Sequence, residues 1–162
     1  MHRRLTILGA AVLLAITPLA AQGQLLVGPA LAWHDDADIG IGASLGFDLP
    51  DIASGFGFLG DFIFYFPDGY DYFEFDANLT YAIEMSDTTK VAPFALGGLN
   101  LGHASVDAGP LDTSDTEVGL NLGGGVAIKM DKFTLKLGGR FTIGDGTSFA
   151  LFATIPFEVG GS

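Results

Sequence analysis

The sequence predicts an all-β chain whose eight antiparallel strands close into an up-and-down transmembrane β-barrel. From Ile39 to Leu49, apolar residues alternate strictly with glycine, serine and aspartate, which is the two-residue period of a strand with two unlike faces. The polar faces carry small residues rather than the lysines and glutamates of a soluble sheet. Hydrophobic residues make up 49% of the chain, yet no helix-length apolar run follows residue 21. These features favour a barrel with lipid outside and a crowded polar interior.

Residues 1–21 have the features of a secretory signal peptide, and residues 22–162 are predicted to form the barrel domain. A basic start precedes an apolar stretch from Leu5 to Leu19. This stretch is shorter than a membrane-spanning helix requires, and Pro18 interrupts it near its end. We expect cleavage after Ala21.

Charge and cysteine content exclude several classes of function. Removal of the signal peptide leaves five lysines and arginines against all 19 acids, so the mature net charge is 5 − 19 = −14. Such a chain is not expected to bind nucleic acid or an anionic surface. The absence of cysteine excludes disulfides and a cysteine-linked lipid anchor. We expect no cofactor.

The first four strands are predicted from their alternation. Leu25–Trp33 opens the series, and Ile39–Leu49 follows it. The third segment, Phe56–Phe66, places five phenylalanines on one face. The fourth, Tyr72–Met85, sets apolar and aromatic residues against acidic and amide residues on its other face.

The last four strands continue the pattern. In Val91–Gly102 the alternation is muddled at Gly97 and Gly98, where a β-bulge would shift its phase. Glu117–Lys129, Phe133–Ile143 and Phe149–Val159 each keep one apolar face. Eleven residues tilted by about 40° rise roughly 28 Å, which matches the apolar band of a membrane barrel.

The connections between strands alternate in character, which predicts the orientation of the barrel. Three of them are assigned to the periplasmic side: Pro50–Gly55, Ser86–Lys90 and Met130–Lys132. The other four, which include the one long loop and most of the aspartates, are assigned to the outside: His34–Asp38, Pro67–Asp71, His103–Thr116 and Gly144–Ser148.

Aromatic residues near both ends of the strands predict two interfacial belts, although phenylalanine and tryptophan also fill the core of any β-sandwich. The predicted belt residues are Trp33, Phe47, Phe66, Phe73, Phe133 and Phe157.

Charged residues on the polar faces predict a lumenal network of ion pairs. An eight-stranded barrel is just wide enough for side chains to fill it, so these charges must pair or reach water. The alternative is a cation-conducting path, because acids outnumber bases on these faces. The predicted network comprises Asp61, Glu74, Asp76, Glu117, Lys129, Lys136 and Arg140.

The pattern resembles the small outer-membrane β-barrel family, of the OmpX and OmpA transmembrane-domain type. The resemblance covers residues 25–159 and includes the glycine-rich strands Gly97–Gly102 and Gly119–Gly125. It implies a monomer in a Gram-negative outer membrane, surrounded by lipid and lipopolysaccharide and assembled by periplasmic chaperones and the barrel-assembly machinery. Family members usually end on an aromatic residue, whereas here the last aromatic residue is Phe157.

Two further patterns are candidates for chemistry. His103 and Ser105, with Glu117 fourteen residues after His103, are similar to the base, nucleophile and orienting acid of outer-membrane lipid A deacylases. The residues after the serine depart from that family's pattern, and our prediction is that the chain is not an enzyme. The aspartates of the outer loops are interpreted as solvated, because no spacing matches a calcium loop, and no metal site is predicted.

The main interpretation is therefore an integral outer-membrane barrel with a filled lumen, short acidic external loops, and a structural or surface-interaction role. The alternative from a different class is a soluble, lipocalin-like carrier of a small apolar ligand. Its apolar face would be inside and its glycine-rich face wet. The scarcity of lysine and glutamate on the glycine-rich face argues against it.

Overall fold

A computed structural model describes residues 25–83, 85, 90–106 and 113–159. The predicted signal peptide, residues 1–21, lies outside these ranges. The described residues form one closed antiparallel sheet, which confirms the predicted eight-stranded up-and-down barrel. The strands are β1 (Leu25–His34), β2 (Asp38–Asp48), β3 (Phe56–Tyr65), β4 (Asp71–Ala82), β5 (Val91–Val106), β6 (Thr113–Lys129), β7 (Thr134–Ile143), β8 (Thr147–Thr154) and β9 (Phe157–Val159).

Pairing of β1 with β2 on one side and with both β8 and β9 on the other closes the barrel. β8 and β9 together form the eighth strand of the barrel, which is interrupted at Ile155 and Pro156. Proline has no N–H to donate to the ladder, which accounts for the break. Within the described ranges, no helix is long and apolar enough to cross a membrane.

The register of the strands fixes their tilt. Paired residues followed from Arg140 through β6, β5, β4 and β3 lead to Asp48 on β2. The opposite path through β8 and β1 leads to Asp38, ten residues away on the same strand. A stagger of this size tilts the strands and leaves an interior that side chains can fill.

Apolar residues point outward and polar residues inward along most of the barrel. Leu99 and Leu120 are 55% and 58% exposed on the outer surface. Their chain neighbours Asn100 and Asn121 are only 4% and 1% exposed, because they face the lumen. The predicted orientation of the two faces is therefore correct.

The lumen also contains an apolar cluster that sequence analysis did not anticipate. Its members include Leu59, Ile63, Phe94, Leu96 and Phe152, all at most 6% exposed. Each lies in phase with the inward polar residues of its own strand. The interior is therefore filled by apolar side chains as well as by ion pairs.

The predicted β-bulge at Gly97 and Gly98 is wrong. β5 pairs without interruption with β4 and with β6. The alternation looked broken because Phe94 and Leu96 place apolar side chains in the lumen. β5 and β6 also extend to Val106 and Thr113, so they occupy most of the predicted long loop.

Candidate functional site

A buried arginine lies in the lumen. Arg140 on β7 is 1% exposed, and its Nη2 atom lies 2.6 Å from Glu74 Oε2 and 2.7 Å from Asp76 Oδ2. Both acids belong to β4, so these ion pairs join two strands across the interior. Two buried carboxylates around one guanidinium satisfy the requirement that buried charges be paired.

Glu74 is the best-connected acid of this cluster. Tyr65 Oη donates a hydrogen bond to Glu74 Oε2 at 2.8 Å, and Tyr72 Oη donates to Oε1 at 3.0 Å. His34 Nε2 lies 3.4 Å from Oε1. Hydroxyl donors and the guanidinium group together surround a carboxylate that is 1% exposed.

Asp76 is held by two amides from neighbouring strands. Asn100 Nδ2 and Asn121 Nδ2 donate to Asp76 Oδ1 at 2.9 and 2.7 Å. Thr142 Oγ1 donates to Asn121 Oδ1 at 2.8 Å, which extends the network back to β7. The ion pairs and amides therefore connect β4, β5, β6 and β7 through the lumen. We refer to Glu74, Asp76, Arg140 and these hydrogen-bond partners as the lumenal cluster.

The structure brings together three of the seven residues predicted for this network: Glu74, Asp76 and Arg140. Asp61 is buried opposite Asp76 on the next strand, and Lys136 is half-buried. Neither of them has an ion-pair partner within 4 Å among the described residues. Both residues therefore lie on the predicted inward face. Contrary to the prediction, neither forms an ion pair with the cluster.

Two of the predicted network residues lie at the ends of the barrel. Glu117 and Lys129 are both exposed, the first near the outer end of β6 and the second at its other end. Twelve residues of one strand separate them, so they cannot share one layer of the lumen. Their assignment to the central network was wrong.

Sequence reasoning missed most of the neutral partners of the cluster, among them His34, Tyr65, Tyr72, Asn100 and Asn121. Each lies in phase with an inward-facing residue, which was the available signal. Which of them meet depends on the stagger between strands, and alternation does not specify that stagger.

The predicted belt residues differ in exposure. Trp33, Phe66 and Phe157 are 42%, 58% and 43% exposed. Phe73 and Phe133 are partly exposed. Phe47 is only 3% exposed, because its ring stacks on Phe58 with centroids 5.1 Å apart. A side chain so covered cannot belong to an interfacial belt, and its inclusion was wrong.

The residues of the candidate deacylase site do not converge. His103 Nδ1 lies 2.7 Å from Thr116 Oγ1, and its ring contacts Phe73 on the outer surface. Ser105 lies on the same outward phase of β5 as His103. Glu117 follows Thr116 directly and therefore faces the lumen. The arrangement offers no nucleophile–base–acid geometry.

A cavity of about 290 Å³ opens at the predicted outer end of the barrel, and we call it the outer mouth. Its floor includes Tyr72, Asn100 and Thr142, which belong to the lumenal cluster. Its carboxylates are those of Asp36, Asp115 and Glu117. No lysine or arginine is among the described residues that line it.

The turns around the outer mouth are joined by hydrogen bonds. Tyr70 Oη donates to the Asp36 carbonyl oxygen at 2.8 Å. Partial burial, together with the charges of Asp36 and Asp38, raises the pKa of Tyr70. Phe149 N donates to Asp35 Oδ1 at 3.0 Å, which joins the first turn to β8. Two aspartates of the predicted outer loops, Asp107 and Asp112, lie outside the described residues.

Three adjacent ligand-type residues occur in the first of these turns. Potential ligand atoms of His34, Asp35 and Asp36 lie within 4.8 Å of one another. His34 Nδ1 accepts a hydrogen bond from Asp36 N at 3.0 Å, and Asp35 Oδ1 accepts one from Phe149 N at 3.0 Å. These contacts give the group a structural role in the turn.

No protein-family model and no curated protein sequence matches the chain. Among solved structures it is similar to the N-terminal β-barrel domain of Pseudomonas aeruginosa OprF, with a TM-score of 0.64 and 15% identity over 83% of this chain and 99% of that chain. It is similar to Neisserial surface protein A, with a TM-score of 0.62 and 19% identity over 85% and 97% of the two chains.

A third similar structure is Ail, the attachment invasion locus protein of Yersinia pestis. The TM-score is 0.59 and the identity 16%, over 83% of this chain and 97% of that chain. Ail is also known in complex with the heparin analogue sucrose octasulfate. At these identities the likeness establishes the fold, which is that of the small eight-stranded outer-membrane barrels.

Proposed function

We propose that the chain is an integral outer-membrane β-barrel protein whose role is structural or consists of interactions at the cell surface. The observation that carries this proposal is the inversion of polarity. Arg140, Glu74 and Asp76 are buried inside, while leucines, isoleucines and phenylalanines are exposed outside. A continuous apolar outer surface is unfavourable in water and favourable in lipid.

The filled lumen supports a structural role over conduction. The lumenal cluster occupies the upper interior, and the apolar side chains of Phe94, Leu96 and Phe152 occupy space further from the outer mouth. Both groups leave little room for a continuous water path in a barrel of this size. We therefore favour the filled lumen over the cation-conducting path.

The partners proposed for the barrel follow from its two surfaces. Outer-membrane lipid would cover the apolar outer surface of the barrel, and lipopolysaccharide would surround the outer loops. The mature charge of −14 disfavours a polyanion of the kind found with Ail. The closed sheet has no free edge, which supports a monomer that periplasmic chaperones and the barrel-assembly machinery deliver after export.

The soluble carrier and the lipid A deacylase are both less well supported. A lipocalin-like carrier needs its apolar face inside, and here residues such as Leu31 and Leu151 are about half exposed outside, at 51% and 49%. The deacylase needs His103 and Glu117 to act together, but they face opposite sides of the sheet.

Cysteine labelling tests the membrane placement directly, because the natural chain contains no cysteine. Leu31→Cys lies on the outward face, and Asp145→Cys in the exposed β7–β8 turn is its matched control. In intact cells, a membrane-impermeant maleimide is expected to label Asp145→Cys and to spare Leu31→Cys. The same bands should change mobility on boiling in SDS and remain in the carbonate-insoluble fraction.

Equal labelling of both variants, or recovery of the folded chain in the soluble fraction, would contradict the proposal. Labelling of Asp145→Cys only after the outer membrane is permeabilised would retain the membrane barrel but reverse its predicted orientation.

A further inference from the structure

The exposed lysines of the described chain all lie at one end of the barrel. Lys90 precedes β5, Lys129 ends β6 and Lys132 lies in the turn between β6 and β7, and all three are exposed. We call these three residues the basic rim. The predicted orientation places this end in the periplasm. The other two cations of the mature chain are lumenal, since Lys136 is half-buried and Arg140 belongs to the lumenal cluster.

The lysines of the basic rim lie close together without direct neutralisation. Lys129 N donates a hydrogen bond to the Lys90 carbonyl oxygen at 2.8 Å, so these two residues are opposite each other on neighbouring strands. Like charges in this arrangement repel each other. Asp131 in the same turn and Glu158 on β9 offset part of the charge. Among the described residues, however, no lysine of the basic rim has an ion-pair partner within 4 Å.

Each lysine of the basic rim directly precedes an apolar residue of the outward phase. Val91 and Met130 are 39% and 49% exposed. Phe133 is partly exposed and contacts the ring of Phe157, with centroids 5.9 Å apart. A lysine stem can lie along such a surface while its ammonium group reaches the headgroup region. The apolar outer surface of the barrel therefore ends, on this side, in a border of positive charge.

The mature net charge of −14 predicts repulsion from an anionic surface, but that charge is unevenly distributed. Fourteen residues of β6 separate Asp115, at its outer end, from Lys129. At about 3.3 Å per residue they span roughly 46 Å. The Debye length at physiological ionic strength is only about 8 Å. An anion at the basic rim therefore responds to the local charges and not to the acidic outer turns.

We propose that the basic rim binds the anionic headgroup of a phospholipid in the periplasmic leaflet. The ammonium groups would contact the phosphate, and the acyl chains would lie against Val91, Met130 and Phe133. A soluble anion would leave these apolar residues uncovered, whereas a phospholipid complements both parts of the surface. The inference rests on the proposed membrane placement and extends it, because it names a lipid class and a fixed position on the barrel.

Quenching of tryptophan fluorescence by brominated phosphatidylglycerol and brominated phosphatidylcholine tests the proposal locally. Trp33 is the only tryptophan and lies near the outer end of β1, so the Phe133→Trp probe also carries Trp33→Phe. Vesicle mixtures give the binding constant of phosphatidylglycerol relative to phosphatidylcholine. We expect a value of at least about five at the Phe133→Trp probe and of about one at Trp33 in the natural chain.

Charge variants in the Phe133→Trp background test the residues. Replacement of all three lysines of the basic rim by glutamine should lower the relative binding constant to about one. Asp131→Asn should raise it by about twofold or more, because it removes a local negative charge. Asp51→Asn is the matched control: it makes the same change of net charge in the exposed β2–β3 turn, four strands away from β6 at the same end. Its effect should be less than about 1.5-fold.

The outcomes separate this inference from the proposed function. A chain that does not fold in phosphatidylcholine vesicles, as judged by boiling-dependent gel mobility, would contradict the membrane placement and this inference with it. A folded barrel with equal binding constants for the two lipids, or with an equal preference at Trp33, would overturn the lipid site alone. Loss of the preference on addition of inorganic phosphate at constant ionic strength would also overturn it, because the basic rim would then bind a free anion and not a lipid.

Discussion

Arg140 and Glu74 lie on strands that are not neighbours in the sheet, yet their side chains meet in the lumen with Nη2 and Oε2 2.6 Å apart. The residues directly beside Arg140 and Glu74 on the intervening strands are Gly123 and Gly102. Because these glycines contribute no side chain, the guanidinium group can extend across the interior. The contact therefore depends as much on the small residues around it as on the two charges.

Replacement of Arg140 by methionine is expected to be strongly destabilising. It leaves Glu74 and Asp76 buried without a cation, and breaking a buried pair in this way costs about 3–5 kcal/mol. The free energy of unfolding, measured by urea titration in lipid vesicles, checks the loss. Lys132→Met, in an exposed turn at the other end of the barrel, is the matched control and should change stability by less than about 0.5 kcal/mol.

A second variant separates loss of pairing from loss of packing. Arg140→Met leaves two buried carboxylates without a cation, and the addition of Glu74→Gln removes one of these charges. The double variant is therefore expected to be more stable than Arg140→Met alone. If the losses in the free energy of unfolding caused by Arg140→Met and by Glu74→Gln simply added in the double variant, the ion pair would not be the source of the effect.

The two tyrosines that bind Glu74 should each contribute through their hydroxyl groups. Tyr65→Phe and Tyr72→Phe each remove one donor to a buried carboxylate, with an expected loss of about 1.5–3 kcal/mol in the free energy of unfolding. Tyr81→Phe tests the substitution itself, because Tyr81 is 45% exposed on the outer face. A loss at Tyr81 as large as that at Tyr72 would show that the hydrogen bond to Glu74 is not responsible.

Alternation in the sequence predicted the two faces of the barrel because the side-chain period of a strand is fixed by its backbone. It could not predict which inward residues meet. Asn121 reaches Asp76 from β6, and that contact depends on the ten-residue stagger around the barrel. Glu117 has the correct phase but lies at the outer mouth, so phase alone does not assign a residue to the lumenal cluster.

The apolar cluster was missed for a different physical reason. Apolar residues on the inward phase, such as Phe94 and Phe152, fill space that the ion pairs do not reach. The sequence analysis assigned polar residues to the lumen and apolar residues to the outer surface. Apolar residues that face the lumen therefore looked like interruptions of the alternation. Gly138 shows how the cluster fits, since the Phe152 ring lies where its Cβ would be.

Asp61 and Asp76 are predicted to respond in opposite directions to loss of charge. Asp61 is 4% exposed, its Oδ1 atom has no hydrogen-bond partner among the described residues, and it lies opposite Asp76. Asp61→Asn should therefore leave stability unchanged or raise it by about 1 kcal/mol, because it removes a repulsive buried charge.

Asp76→Asn, measured by the same urea titration, should lower stability by about 1.5–3 kcal/mol, because it removes a charged partner of Arg140. A loss at Asp61 equal to that at Asp76 would mean that the Asp61 carboxylate has a stabilising partner, such as an ordered water.

Close approach of backbones predicts a steric effect at Gly42. A Cβ atom there would overlap the carbonyl oxygen of Phe62 on β3, which has little freedom to move. Gly42→Ala is expected to lower the free energy of unfolding by about 1–3 kcal/mol. Gly146→Ala is the control, because open space surrounds that position and its stability should hardly change.

The outer surface predicts a cost of charge that depends on depth in the membrane. Leu31 lies between Ile41 and Ala153 on the outward face, whereas Ile52, which is similarly exposed, lies in the turn between β2 and β3. If lipid covers this face, Leu31→Lys should lower the free energy of unfolding in vesicles by about 2–4 kcal/mol, and Ile52→Lys by at most about 1 kcal/mol. Equal and small effects at the two positions would mean that the outward face is in water.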